Sequence, residues 1–189
     1  MSHRKVLTLW TDEKINEEET RILRKPSLEI PVPFDDERKR DIQTLIDTFL
    51  GRNDGVGLAA PQIGIARRII VFRIKGFDEK NWSKTENDYD VLVNPRITQA
   101  RGDMVTMPEG CLSCPEIQVE ISRFPEIKVR ACDAAGRKIS RRYTDYLARI
   151  VQHEMDHLDG KLIVDYDGAL YIPKKKQEFF AAFFDKKEK

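Results

Sequence analysis

The sequence predicts one domain that combines helices with strands. A chain of 189 residues with 40% hydrophobic and 34% charged residues is large enough to bury a substantial core under a highly charged surface. Apolar residues repeat at three- and four-residue steps after residue 35, which predicts a helix. Two β-branched apolar runs, 68–74 and 91–95, predict buried strands. We therefore expect residues 1–189 to form a single compact domain.

The first part of the chain is predicted to hold an extended segment and then a helix. Residues 1–20 lack a helical period, and three prolines within 21–34 favour extended chain because proline fixes φ and has no N–H donor. Asp35 or Asp36 can cap the helix that follows, and Asn53-Asp-Gly55 can end it. We expect this N-terminal helix to pack on the core through one apolar face, formed by Ile42, Leu45, Ile46, Phe49 and Leu50.

Strand patterns continue into the second half of the chain. Residues 117–121 alternate between apolar and polar side chains, and 127–132 can pair with 137–139 across a turn at 134–136. This half is therefore expected to form a small antiparallel or mixed sheet. Lys75 to Asp90, between the two buried strands, is predicted to be a surface loop with an exposed Trp82.

Charge and hydropathy argue against several classes of protein. The 33 Lys and Arg residues nearly balance the 32 Asp and Glu residues, so no global field favours DNA or an anionic membrane. No apolar run is long enough to span a membrane, and the N-terminal apolar stretch is too short for a secretory signal. We expect a cytoplasmic monomer. Three cysteines are too few and odd in number for a complete disulfide framework, so reduced thiols or metal ligation are expected.

The clearest chemical signal is a pair of histidines four residues apart. A helix predicted to begin after Thr144 or Asp145 and to close at Asp159-Gly160 would place His153 and His157 on one face, where they can bind the same metal ion. Glu154 would lie beside them. Two imidazoles leave at least one protein ligand and one water position to be assigned.

Four interpretations of the cysteines and histidines have to be compared. Cys111 and Cys114 together would give a closed structural zinc site without a water position, whereas a redox dithiol would require a helix that the surrounding strands do not provide. A metalloprotease of this type would take a downstream third ligand, for which only Asp165 and Asp167 can be tried. One thiolate with the two histidines leaves an open position for chemistry.

Three segments of the chain resemble the three motifs of peptide deformylases. They are Gly55-Val-Gly-Leu-Ala-Ala-Pro-Gln62, Glu109-Gly-Cys-Leu-Ser113 and Gln152-His-Glu-Met-Asp-His157, in this order. The resemblance extends from about Leu23 to about Asp165. It implies an α+β fold with small mixed or antiparallel sheets around a central metal-binding helix. It also implies hydrolysis of the formyl group from the N-formylmethionine of nascent peptides, with hydrolysis of another N-acyl peptide as the alternative.

The resemblance also implies roles for individual residues. Cys111, His153 and His157 would bind one divalent metal, natively Fe2+, with Zn2+, Ni2+ or Co2+ also accommodated. Glu154 would take a proton from the metal-bound water as the hydroxide attacks the formyl carbon, and would then protonate the leaving amine. The metal would stabilise the negative charge on the formyl oxygen together with two donors, the Gln62 side-chain amide and the Leu112 backbone N–H.

Further residues are expected to support the metal and to bind substrate. Glu109 is a candidate partner for a metal-binding imidazole, and Asp156 is expected to pair with Arg123. The methionine side chain would enter a pocket partly formed by residues about one helical turn before His153. The aliphatic stem of Arg149 would serve there as a lining group. The expected lining residues are Val56, Gly57, Met107, Tyr146, Arg149 and Ile150.

The C-terminal segment 172–189 is predicted to be helical. Phenylalanines at 179, 180, 183 and 184 would form one apolar face, preceded by lysines at 174–176. The plainer expectation is that this face packs on its own domain. The alternative, which follows from the resemblance, is contact with the ribosome, where the lysines would face RNA phosphates.

Overall fold

The computed structural model describes residues 3–77 and 85–185. The predicted N-terminal helix and the predicted histidine-bearing helix are both present. Within the described residues the α-helices are α1 (Glu17–Leu23), α2 (Asp36–Leu50), α3 (Asp145–Leu158) and α4 (Gln177–Asp185). Asp35 caps α2, because its carboxylate accepts a hydrogen bond from the Arg38 backbone N–H.

Within residues 3–77 and 85–185 the strands form three antiparallel sheets. A two-stranded sheet pairs β1 (Trp10–Thr11) with β2 (Lys14–Ile15). A five-stranded sheet has the order β3 (Gly57–Ala59), β4 (Ile69–Arg73), β5 (Tyr89–Arg101), β8 (Glu126–Cys132) and β9 (Lys138–Thr144). A three-stranded sheet has the order β10 (Leu170–Tyr171), β7 (Cys114–Arg123) and β6 (Val105–Cys111). The predicted α+β class is confirmed.

Helix α3 lies between the two larger sheets. One face of the five-stranded sheet packs against α2, and its other face packs against α3 through residues such as Val151 and Leu158, both fully buried. Helix α3 also contacts β7 of the three-stranded sheet. The histidine-bearing helix is therefore central, as expected, and any site on it is held from two sides.

Several predicted boundaries differ from the structure, and two of the differences have a clear physical cause. The extended segment predicted for 1–20 is wrong at its end, because Glu17 begins α1. Three glutamates in the first turn of α1 suit the positive end of the helix dipole, a local signal that outweighs the missing apolar period. Strand β5 continues past Pro95 to Arg101, since an irregularity in its pairing accommodates the proline. The loop position predicted for Trp82 lies outside the described residues.

The C-terminal helix packs on the N-terminal part of the chain. It begins at Gln177 rather than at 172, after a short 3-10 turn at Lys174–Lys176, and residues 186–189 of the predicted helix lie outside the described residues. Phe180 is fully buried, with its ring centroid 5.2 Å from that of Trp10. In the described part of the chain, none of the helices has the length and hydropathy needed to cross a membrane.

Candidate metal centre

Helix α3 carries both histidines on the face predicted from their spacing. Thr144 occupies the N-cap position, and Gly160 just beyond the helix adopts a φ of 72°, which glycine tolerates without strain. The ring centroids of His153 and His157 lie 5.2 Å apart. The histidine spacing therefore produces two neighbouring imidazoles that can share a ligand.

The hairpin between β6 and β7 brings Cys111 to the histidines. Cys111 ends β6 and pairs with Cys114, the first residue of β7, across a two-residue turn. The Cys111 Sγ lies 3.3 Å from His157 Nε2, and one ligand atom each from Cys111, His153 and His157 lies within 4.8 Å of the others. Cys114 is fully buried in the apolar cluster beneath the hairpin.

The geometry of this cluster suits a metal ion. A tetrahedral ion with bonds of about 2.3 Å to sulfur and about 2.0–2.1 Å to nitrogen separates those two ligands by roughly 3.6 Å, close to the distance between Cys111 and His157. Among the described residues, no other group of three or more His, Cys, Asp or Glu side chains could hold a metal ion. Asp165, considered above as an alternative ligand, instead bonds to Arg24 and to the Leu162 N–H.

Electrostatics favour a thiolate at Cys111. The pKa of the Cys111 thiol lies well below its ordinary value, because Cys114 donates a hydrogen bond to its sulfur and the imidazole of His157 lies beside it. A deprotonated sulfur is the form that binds a metal. Cys114, by contrast, is held as a thiol, since burial raises its pKa well above the ordinary value.

Glu154 is buried beside the ligand cluster. Its side chain is 4% exposed, and its Oε2 atom has no hydrogen-bond partner among the described residues. Burial raises the pKa of Glu154 to about 7, in the range where a carboxyl group can both take up and release a proton near neutral pH. Gly57 faces this carboxyl group: a Cβ atom at position 57 would lie 2.2 Å from Glu154 Oε1, so a larger residue there would displace the carboxyl group.

Glu109 orients the first histidine. Its Oε2 atom accepts a hydrogen bond from His153 Nδ1 at 2.9 Å, which leaves Nε2 of that ring to face the metal position. Arg123 donates to both Glu109 oxygens, from Nε at 3.0 Å and from Nη2 at 2.9 Å. Arg123 Nη1 donates to Asp156 at 2.7 Å, so the Asp156–Arg123 pairing expected from sequence is present.

The remaining predicted residues line one cavity of about 900 Å³. Gln62 is 2% exposed; its Oε1 accepts from the Ala59 N–H at 2.8 Å, and its Nε2 lies 3.2 Å from Ser113 Oγ and 3.9 Å from Cys111 Sγ. Leu112 lies in the turn beside Cys111. The walls include these two residues and all six residues expected for the methionine pocket: Val56, Gly57, Met107, Tyr146, Arg149 and Ile150.

Sequence reasoning missed three features of this site. Arg149 was expected only to line the cavity with its aliphatic stem, but its guanidinium also donates a hydrogen bond to Glu109 at 2.6 Å. Tyr166 donates to Asp156 at 2.7 Å and accepts from Arg123 at 2.9 Å. Tyr171 and Ile172 also line the cavity, although they lie far from the three motifs. No local sequence pattern predicts these contacts, because the missed residues lie outside the three motifs and are separated along the chain from the residues that they contact.

The converging side chains of Cys111, His153 and His157, with the buried carboxyl group of Glu154 beside them, are a donor set typical of metal-dependent hydrolases. The polypeptide deformylase family profile matches residues 13–175. The chain belongs to this family. Its activity is the hydrolytic removal of the N-formyl group from nascent peptides. The family uses a single metal ion, and the cluster described above is a candidate site for it.

Similar proteins include several named deformylases. Peptide deformylase 1 of Rickettsia conorii is 38% identical over 134 residues, which cover 70% of this chain and 75% of the relative. The structure resembles a peptide deformylase from Legionella pneumophila, at 32% identity and a TM-score of 0.71, over 98% of this chain and 95% of that one. It also resembles a Met-Ala-Ser-bound deformylase from Acinetobacter baumannii, at 29% identity and a TM-score of 0.70, over 87% of this chain and 99% of that one.

Proposed function

We propose that Cys111, His153 and His157 hold the single metal ion of this deformylase and that Glu154 moves the proton in hydrolysis. The observation that carries this proposal is that the ligand atoms of Cys111, His153 and His157 converge beside Glu154, next to a cavity that Cys111, His153 and Glu154 line. When bound, the metal supplies Lewis-acid polarisation of the formyl carbonyl and activation of water. All other parts of the site are supplied by side chains and backbone groups of this chain.

Glu154 has the position and the acidity for both proton transfers. Its unpartnered Oε2 can accept a proton from the attacking water as the new carbon–oxygen bond forms. The carboxyl group then gives that proton to the methionine nitrogen as the carbon–nitrogen bond breaks, which yields the free amine and formic acid. The acid loses its remaining proton to the amine or to solvent and leaves as formate. Because Gly57 has no Cβ atom, the Glu154 carboxyl group can occupy this position beside the ligand cluster.

Two hydrogen-bond donors are proposed for the negative charge on the formyl oxygen. The Gln62 Oε1 atom is engaged by the Ala59 N–H, which orients the amide so that Nε2 points toward Cys111. The Leu112 N–H lies in the turn next to the same cysteine. Fixed donors of this kind stabilise a developing oxyanion without reorganising during the reaction.

The cavity fits a methionine side chain followed by a short peptide. The Acinetobacter baumannii relative binds Met-Ala-Ser, and we propose the same class of peptide for this chain. The methionine would contact the lining group described above, including Met107, Tyr146 and Ile150. Met and aromatic side chains suit a thioether, whose sulfur makes favourable contacts with ring edges.

Fe2+ is the proposed native metal. A ligand set of one thiolate and two imidazoles also accommodates Zn2+, Ni2+ and Co2+, so we propose that metal availability in the cell contributes to the choice of ion. We expect anaerobic loading with each metal to give one ion per chain and turnover of formyl-Met-Ala-Ser. Acetyl-Met-Ala-Ser should be hydrolysed far more slowly, as measured by release of the free amine. Equal turnover of both peptides would instead favour the broader N-acyl amidase.

We further propose that the chain acts as a monomeric, single-domain enzyme in the cytoplasm, where newly made chains are its substrates. Its C-terminal segment is the proposed ribosome contact. The aromatic face of α4 is covered by Trp10, which leaves the lysines before the helix as the contact group. Lys174 and Lys175 are exposed, whereas Lys176 bonds to Glu116 at 2.7 Å.

Replacing Lys174 and Lys175 by serine should weaken ribosome binding and flatten its salt dependence. Each lost phosphate contact is expected to reduce the slope of log affinity against log salt by about 0.7–0.9. Co-sedimentation with ribosomes at several salt concentrations measures both quantities. Lys25→Ser, at an exposed position in another part of the chain, is the matched control. Unchanged binding and slope in the double variant would exclude contact through these lysines.

A further inference from the structure

We propose that Arg149 is a positioning residue of the metal centre: it clamps the helix that carries both histidines to the hairpin that carries Cys111. This inference rests on the metal site proposed above. It gives Arg149 a task different from lining the methionine pocket. The clamp acts through Glu109, which contacts His153 directly.

The guanidinium of Arg149 is buried and held by three acceptors. The residue is 6% exposed. Its Nη1 donates to Glu109 Oε1 at 2.6 Å and to the Ile121 carbonyl at 2.8 Å, and its Nη2 donates to the Val105 carbonyl. Glu109 and Val105 lie on β6, and Ile121 lies on β7. A single side chain from α3 therefore joins both strands of the hairpin.

Glu109 is the point at which this clamp reaches the metal ligands. Each of its oxygens takes two hydrogen bonds: Oε1 from Arg149 and Arg123, and Oε2 from Arg123 and His153. The carboxylate cannot rotate without breaking several of these bonds. Because Glu109 precedes Cys111 by two residues on β6, a shift of this strand would displace the thiolate and the His153 ring together.

The two arginines connect the same two elements in opposite directions. Arg149 extends from α3 to the hairpin, whereas Arg123 extends from the hairpin to Asp156 on α3. Their two positive charges face the two negative charges of Glu109 and Asp156, so the buried network is neutral as a whole. A buried charge network of this kind is strongly perturbed when one member is removed.

Only a guanidinium can donate hydrogen bonds to all three acceptors around this position. Methionine would retain the unbranched apolar stem in the cavity but would leave the carbonyls of Val105 and Ile121 without their donor. Lysine would retain the charge but lacks the planar fork that reaches several acceptors at once. The pair Arg149→Met and Arg149→Lys therefore separates the lining role of the stem from the clamping role of the head group.

The test measures metal retention rather than turnover alone. We expect Arg149→Met to lower the affinity for Co2+ or Zn2+ by about 10–100-fold, the usual effect of removing a residue that supports a metal ligand. Arg149→Lys should fall between this variant and the wild type. Competition with a chelator gives the affinities, and the visible spectrum of the Co2+-loaded protein reports a change in ligand geometry. The unfolding midpoint of each metal-free protein is measured in parallel.

Arg68→Met is the matched control. Arg68 holds the C-terminal end of the same helix, by bonds to the Leu158 carbonyl and to Asp159 at 2.6 Å, and its replacement should destabilise the protein without lowering metal affinity as strongly. Wild-type affinity and spectrum in Arg149→Met would overturn the clamp, as would an equal loss of affinity in Arg68→Met. If Arg149→Met does not fold, wild-type metal affinity in Arg149→Lys refutes the requirement for the fork.

Failure of the clamp can be told apart from failure of the metal site itself. The ligand assignment would be contradicted if the wild-type protein bound no metal. It would also be contradicted if a Cys111→Ser variant kept its metal. A wild-type protein with one metal and an unaffected Arg149→Met variant would contradict only the clamp.

Discussion

Glu154→Gln should lower kcat/KM on formyl-Met-Ala-Ser by about 10²–10⁴-fold, the usual contribution of a positioned acid–base group, while the protein still binds one metal ion. Glutamine has nearly the same shape but cannot take up the proton of the attacking water. Because only 4% of Glu154 is exposed, bulk water cannot reach this position and take over the proton transfer in the variant. Steady-state assays of the metal-loaded variant, with metal content determined on the same sample, measure the effect.

Glu18→Gln provides the control for this prediction. Glu18 is an exposed residue of α1 and lies outside the cavity, so its replacement should leave kcat/KM close to the wild-type value. Near-normal turnover in Glu154→Gln with full metal occupancy would rule out Glu154 as the proton carrier. A variant that has lost its metal would show instead that this carboxyl group is needed to hold the site together.

Cys111→Ser should lose both metal and activity, whereas Cys114→Ala should keep both. A serine hydroxyl is a poor substitute for a thiolate, so the affinity for the metal should fall by more than about 100-fold. Loss of a residue that only hydrogen-bonds to a metal ligand typically costs about 10–100-fold. Cys114 lies in the apolar cluster under the hairpin and binds no metal in the proposed site. Metal content after gel filtration and a competition assay with a chelator distinguish the two variants.

The cysteine pair also decides between an open and a closed centre. Equal loss of metal in Cys111→Ser and Cys114→Ala would mean that both thiols bind the ion, which is the closed structural arrangement without a water position. The hairpin geometry argues against this outcome, because Cys114 is buried on the core side while Cys111 faces the histidines. The Cys114 thiol helps to lower the pKa of Cys111, so Cys114→Ala should reduce metal affinity only slightly and leave the protein metal-loaded and active.

Much of the fold follows from local patterns. The apolar repeat of α2 was predictable because the 3.6-residue side-chain period depends on the backbone alone, and the buried strand at 69–73 was predictable from its run of β-branched apolar residues. The first turn of α1 was missed because charged residues, not an apolar stripe, favour it. The continuation of β5 beyond Pro95 was missed because the irregular pairing that tolerates proline depends on the partner strand β8.

The sequence by itself determined which residues are candidates for the chemistry of this protein: two histidines on one helical face, a glutamate between them, a cysteine motif and a glutamine at the end of a glycine-rich segment. These follow from spacing and from likeness to a family. Only the tertiary structure decided how the parts are held. The Arg149–Glu109 bond spans 40 residues and the close approach of Gly57 to Glu154 nearly 100, and contacts of this range depend on the packing of α3 between two sheets.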